Sequence, residues 1–141
     1  MEWCDMKDTI SFKSEWYLEY GDGKVIGPLK NYVTSAGLSI AAQKLAGLSS
    51  PYLVIGDDTA EGDTISEVYR KAVSVVTQSG NMIRFRTVLL AGEGNGQHQK
   101  TCIFTDASDA PGSGIMFNLL KVPWGKENQM ILTVECRLTL Q

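Results

Sequence analysis

One histidine, three cysteines and four prolines are all that this 141-residue chain carries of those types, and its basic residues do not outnumber its acidic ones. His98 alone leaves no second imidazole, and Cys4, Cys102 and Cys136 are too widely spaced to complete a zinc set with it. The odd, irregular cysteine count also speaks against a disulfide framework. It fits two buried thiols, one thiol near the N-terminus and synthesis in a reducing cytoplasm. No Ser- or Cys-centred nucleophile elbow occurs anywhere, which removes the usual sequence sign of a hydrolase. Thirteen Lys and Arg against sixteen Asp and Glu, a net charge of −3, provide no general positive field for nucleic acid. No apolar run approaches membrane-spanning length, and the opening Met-Glu-Trp-Cys-Asp-Met-Lys-Asp has no apolar signal core. The expectation is a soluble protein without membrane insertion, not secreted by the usual route.

What is present is an ordinary globular composition, 43% apolar and 21% charged, in a chain long enough to bury about two-thirds of its unfolded surface. The organising stretch is 51–72. A short apolar run from Tyr52 to Ile55 reads as a buried strand, a polar loop rich in Gly and Asp follows, and strand-like sequence returns at Glu67, Tyr69 and Arg70. Ahead of it, residues 1–11 read as a flexible arm or a strand given to a neighbour, with Trp3 as the residue worth burying. Phe12, Trp16, Leu18 and Tyr20 then share one face of a half-buried strand. Gly21-Asp22-Gly23 turns the chain, Lys24 to Ile26 returns, and Gly27-Pro28 should end the pairing.

Asn31 to Leu48 carries the only good helix pattern, with Leu38, Ala41, Leu45 and Leu48 as a narrow apolar stripe and Asn31 or Thr34 as the cap. Gly37 within it suggests close packing on another element. Beyond the organising stretch nearly everything alternates. Strands are expected at 72–78, 82–90, 98–105 and 115–122, with a turn at Pro123-Trp124-Gly125. The last, 129–140, places Met130, Leu132, Val134, Cys136, Leu138 and Leu140 on one face. The expected fold is mainly β (α+β), an antiparallel β-sandwich-like fold with one amphipathic helix packed on it. It divides into an N-terminal arm and hairpin over 1–30 and a β-rich domain over 31–141.

Few residues nominate themselves for chemistry. Asp57, Asp58, Glu61 and Asp63 crowd one loop but lack the spacing of a calcium loop, so a solvated acidic loop is the reading and no metal or cofactor is expected. The loop Gly92-Glu93-Gly94-Asn95-Gly96 lacks the order of a nucleotide-binding turn and leads into strand sequence, so it reads as a sharp connection. Arg84 and Arg86 share a sheet face and are candidates for an acidic partner surface. Tyr17 and Trp124 are candidates for an accessible aromatic contact such as sugar stacking, whereas Trp16 belongs to the apolar face of its strand.

Several short motifs then recur in a familiar order: Asn31-Tyr-Val-Thr-Ser-Ala-Gly-Leu opening the helix, Tyr52-Leu-Val-Ile-Gly, Glu67-Val-Tyr-Arg-Lys-Ala-Val, Ser79-Gly-Asn, Gly92-Glu-Gly-Asn-Gly and Ile103-Phe104. Over about residues 31–140 the chain resembles the small tail-fibre and baseplate-associated structural proteins of tailed bacteriophages and prophages. It departs from them at Asp57-Asp58, at Lys100 where a glutamate is usual, at Cys102 where glycine is usual, and over 1–30, which has no counterpart. The resemblance implies a non-enzymatic virion tail component, made in the bacterial host cytoplasm. Such a component would act by self-association as a homo-oligomer and by docking to other phage tail proteins. A receptor- or carbohydrate-binding module of the same particle is the alternative.

Overall fold

Alternation of period two puts one face of each strand into apolar surroundings, and the computed structural model realises this as two four-stranded sheets sharing a core. It describes the backbone of residues 2–141 and the side chains from Asp8 onward, so the expected burial of Trp3 and the Cys4 thiol lie outside the described side chains. Strands β1 (Glu2–Ile10), β2 (Glu15–Glu19) and β3 (Val25–Lys30) precede helix α1 (Ser35–Ala46). Strands β4 (Tyr52–Gly56), β5 (Glu67–Ala72), β6 (Val75–Ser79), β7 (Met82–Leu89), β8 (Gly96–His98) and β9 (Lys100–Thr105) follow. The chain ends with β10 (Ile115–Met116), β11 (Trp124–Lys126) and β12 (Leu132–Leu140). One sheet has the order β1-β12-β7-β6 and the other β10-β9-β4-β5, with two-stranded ribbons β11-β8 and β2-β3 beside them. The mainly β, α+β expectation with a single helix holds.

The core is the meeting of two inner faces. Leu132, Val134, Cys136, Leu138 and Leu140 of β12, with Ile83, Phe85 and Leu89 of β7, lie in one buried cluster with Leu53, Ile55 and Ile103 from the other sheet. Helix α1 closes this cluster: Ala42 is fully buried, and Leu38, Ala41 and Leu45 pack beside it against the end of the β12-β7-β6 sheet. The β9–β4 sheet is covered on its second face too, where Val54, Cys102 and Phe104 pack under Ile65, Ala107, Met116 and Leu119. Strand β9 is therefore buried along its whole length.

Several expectations are corrected by this topology. Residues 2–10 are neither a flexible arm nor a strand given to a neighbour: β1 pairs parallel with β12, register Glu2↔Leu132 to Ile10↔Leu140, and gives the long last strand a second partner. The helix begins at Ser35, because Thr34 Oγ1 accepts from the Gly37 amide at 3.1 Å and fixes the start there. Gly37 answers to that capping turn and not to a neighbouring element, since a Cβ there would lie 3.1 Å from Val33 Cγ1 and 3.3 Å from Thr34 Oγ1. The run 72–78 is two strands in different sheets. The chain crosses over at Val73 and Ser74, whose amides donate to Pro51 O and Arg86 O. Gly27-Pro28 does not end the hairpin: β3 continues to Lys30, and a bulge between Trp16 and Leu18 absorbs the proline. Gly27 is required there, with φ +144° and Trp16 O only 2.8 Å from where a Cβ would stand. Past Met116 the expected 115–122 strand survives only as a bridge from Leu120 to Thr101. Trp124-Gly125 is a strand and not a turn, because β11 pairs with β8.

Candidate interaction surface

The acidic loop between β4 and β5 carries its own cation. Lys100 enters from β9 on the same side as Cys102 and Phe104, a face covered by other residues, and its side chain is 1% exposed. An ammonium in that position needs acceptors. Its Nζ donates to Asp58 Oδ2 at 2.9 Å, Ala60 O at 2.9 Å and Thr64 O at 2.7 Å. Asp58 in turn accepts from the Ser66 amide at 2.7 Å and the Ala60 amide at 3.2 Å. The Ser66 amide first and Lys100 second hold the Asp58 carboxyl down to about 2. Oxygens that converge as they would on a metal thus converge on a lysine, and among the described residues no acidic or thiol cluster arranged for a metal occurs.

Three more cations fasten the neighbouring loops. The Arg70 guanidinium donates Nε to Glu67 Oε2 at 2.6 Å and Nη2 to Glu67 Oε1 at 2.7 Å, and turns Nη1 to Ser108 O, Ser113 O and Ser113 Oγ. Residues three apart in a strand face opposite ways, and the bulge between Ile55 and Gly56 is what lets Glu67 and Arg70 meet. The same guanidinium lies 5.8 Å from the Tyr52 ring centre and 5.6 Å from that of Phe104. Tyr52 donates its hydroxyl to Asp109, which raises its own pKa. Lys71 donates to Val88 O and Glu93 Oε1, securing the glycine-rich turn and holding the Glu93 carboxyl below the usual range. Lys126, nearly buried, donates to Asn95 Oδ1 at the other end of that turn.

Against this background the sequence candidates separate. The Trp124 ring is partly buried against the core, donates Nε1–H to Thr101 Oγ1 at 2.7 Å and meets His98 edge-on with ring centres 4.8 Å apart, so it is much less accessible than expected. His98 is buried and donates Nε2–H to Gly94 O at 2.7 Å, leaving Nδ1 without a hydrogen bond. Arg84 and Arg86 do lie on the outer face of the β12–β7 sheet. Arg86 is cross-strand from Glu135 and 3.4 Å from its carboxylate, which also accepts from Arg137 at 2.7 Å. That face is partly neutralised, and Glu135 itself is buried. An open groove of about 380 Å³ between Asp8, Asp63 and the strand-like residues 116–119 holds no nucleophile. Its Asn118 already donates to Asp8 and accepts from the Ile103 amide.

The β2–β3 hairpin is the reverse of a filled site. Cross-strand pairs Trp16↔Leu29 and Leu18↔Ile26 put four apolar side chains on one face, with Tyr17 at the bulge on the other. The expected half-buried strand is instead open: Trp16 is 61% exposed, Tyr17 59%, Tyr20 50% and Tyr32 just beyond it 82%. Neither strand packs extensively on any element but its partner. Asn31, read as a possible helix cap, braces the hairpin base instead. With its amide oriented to satisfy both ends, it donates to Ser14 O at 2.9 Å and accepts from Trp16 Nε1 at 3.1 Å. No protein-family model and no curated protein matches this chain.

The structure thus brings Tyr17 together with Trp16 and Tyr20 on one exposed element and leaves Trp124, Arg84 and Arg86 apart from it. Sequence reading missed Lys100 and Arg70. The signal was available for Lys100: it shares parity with Cys102 and Phe104 in a strand, and an inward lysine requires a counter-charge, for which the loop of Asp57, Asp58, Glu61 and Asp63 is the densest acidic cluster in the sequence.

Proposed function

We propose that the chain is a non-enzymatic structural component of a phage or prophage tail, in the fibre, tip or baseplate, acting by self-association and by docking to neighbouring tail proteins. The observation that carries this reading is the uncovered aromatic hairpin. A two-stranded ribbon is at best marginally stable alone in water, so one bearing Trp16, Leu18 and Leu29 in the open is built to be covered. The remaining polar chemistry is consistent with it, because Lys100, Arg70, Lys71 and Lys126 are engaged in fastening loops and not in meeting a substrate. The motif order given above supports the assignment to tail proteins. Among the described residues no helix is long and apolar enough to cross a membrane.

Light scattering coupled to gel filtration tests the reading: a stable assembly at micromolar concentration is expected, and a chain that runs as a single copy throughout contradicts it. The exposure of Tyr17 favours one alternative, a receptor- or carbohydrate-binding module of the same particle, in which ring faces stack on sugar. In that case a glycan array gives a hit that Tyr17→Ala abolishes and Trp124→Ala, whose ring is engaged internally, does not abolish through stacking.

A further inference from the structure

The charges within the two strands of the hairpin differ in sign. Glu15 and Glu19 lie on β2 and Lys30 ends β3, while Lys13, 3.4 Å from Glu15, leads into β2 and Lys24, beside Asp22, leads into β3; the segment has as many bases as acids. Among the described residues β2 and β3 form ladders only with each other, so the outer edge of each is an unpaired row of backbone donors and acceptors. One face is apolar, through Trp16, Leu18, Ile26 and Leu29. A neutral surface with one acidic edge, one basic edge and one greasy face is complementary to a copy of itself.

The pairing can be chosen from the same charges. If two copies met β2 to β2 about a two-fold axis, the glutamates of the two strands would crowd one another; β3 to β3 would do the same with the lysines. If β3 of one copy lies antiparallel beside β2 of the next, rotation about a common axis brings strand ends of opposite charge together. Because Glu15 stands opposite Lys30 within one hairpin, Lys30 of each copy then lies toward the Glu15 end of its neighbour's β2, displaced by the stagger that strand tilt imposes. The geometry points to a closed ring of copies of this chain, each β3 edge adding to the β2 edge of the next, with Trp16, Leu18, Ile26 and Leu29 turned toward the axis. Two hairpins supply too few strands to close around those rings, so the ring has three or more copies, and closure leaves no edge exposed. This rests on the self-associating role proposed above and names the contact that performs it.

The test uses the full chain. Light scattering gives a mass of three or more copies, and Trp16→Glu combined with Leu29→Glu reduces it to one copy with the far-UV spectrum of the body retained, since neither residue belongs to the buried core. In a Cys4→Ser background, Cys102 and Cys136 are buried and silent. Brief oxidation of a mixture of Glu15→Cys chains with Lys30→Cys chains then yields a disulfide-linked pair, and either preparation alone yields none. Self-linking of Glu15→Cys alone, an assembly of two copies, or an assembly that survives the double Glu variant overturns the ring while leaving self-association standing. A single-copy mass for the unaltered chain overturns both.

Discussion

Lys100 and Asp58 form the pair on which the loop 57–66 is wound, and what each does alone is unequal. Removing the lysine in Lys100→Met leaves Asp58, Ala60 O and Thr64 O facing a buried apolar side chain, at a cost of about 3 kcal/mol by urea unfolding. Adding Asp58→Asn to that variant should recover part of the loss, because the unpaired carboxylate is then gone. Acid should weaken the same loop. Asp58 titrates at about 2 in the folded chain against 3.8 as a free side chain, so its contribution is fully present above pH ~4 and is lost as pH falls through 2. The protection of the Ser66 and Ala60 amides, taken relative to the intrinsic exchange rate at each pH, should therefore fall in that window, and protection unchanged between pH 4 and 2 would remove Asp58 from the role. Cys102 offers a cleaner residue-level result. Burial pushes its thiol up to about 12, so a thiol reagent at neutral pH should label Cys102 only after denaturant unfolds the chain. Mass spectrometry of peptides from natively labelled protein reads this directly.

At the scale of elements, what the sequence made legible was whatever one face of one element decides. The β12 alternation, the β7 face and the α1 stripe came through because period two and period 3.6 are properties of single segments. The crossover at Val73 and Ser74 was illegible: both halves of 72–78 alternate alike, and nothing local says that they belong to different sheets. Parallel pairing of β1 was equally hidden, since a mixed polar segment becomes a strand only when β12 offers it an edge. The hairpin was half legible; its turn was written in Gly21-Asp22-Gly23, but an apolar face in sequence does not say whether anything covers it. The loop clamps were missed because they join residues far apart, Arg70 reaching Ser113 and Lys100 reaching Asp58. Arg70→Lys tests the first of these. Lysine cannot keep two parallel bonds to Glu67 while holding Ser108 and Ser113, so a loss of about 2 kcal/mol and faster exchange at the Gly112 and Ser108 amides are expected. Gly56→Ala tests the bulge: a methyl would meet the Ile65 side chain and stand 2.9 Å from Ser66 O, costing about 1–3 kcal/mol.

The whole molecule divides its surface unequally. One sheet is covered on both faces and its loops are tied down by buried cations, whereas the hairpin, although it holds several of the chain's larger aromatic side chains, lacks such cover. The body also exposes scattered apolar side chains such as Val68, Leu90 and Ile115, but the hairpin groups Trp16, Leu18 and Leu29 on one uncovered face, so the gain on association concentrates there. Association then acts on stability by mass action, because the assembled state contains only folded chains. Each tenfold rise in protein concentration should therefore raise the melting temperature by about 3 °C, from roughly 1 kcal/mol of linkage spread over a domain of this size. The Trp16→Glu, Leu29→Glu chain should melt at one temperature whatever its concentration, near the value that the unaltered chain approaches on dilution. Calorimetry over a hundredfold range separates the cases. If both chains are insensitive to concentration, the exposed aromatics are not covered by copies of themselves, and their partner has to be sought among molecules of another kind.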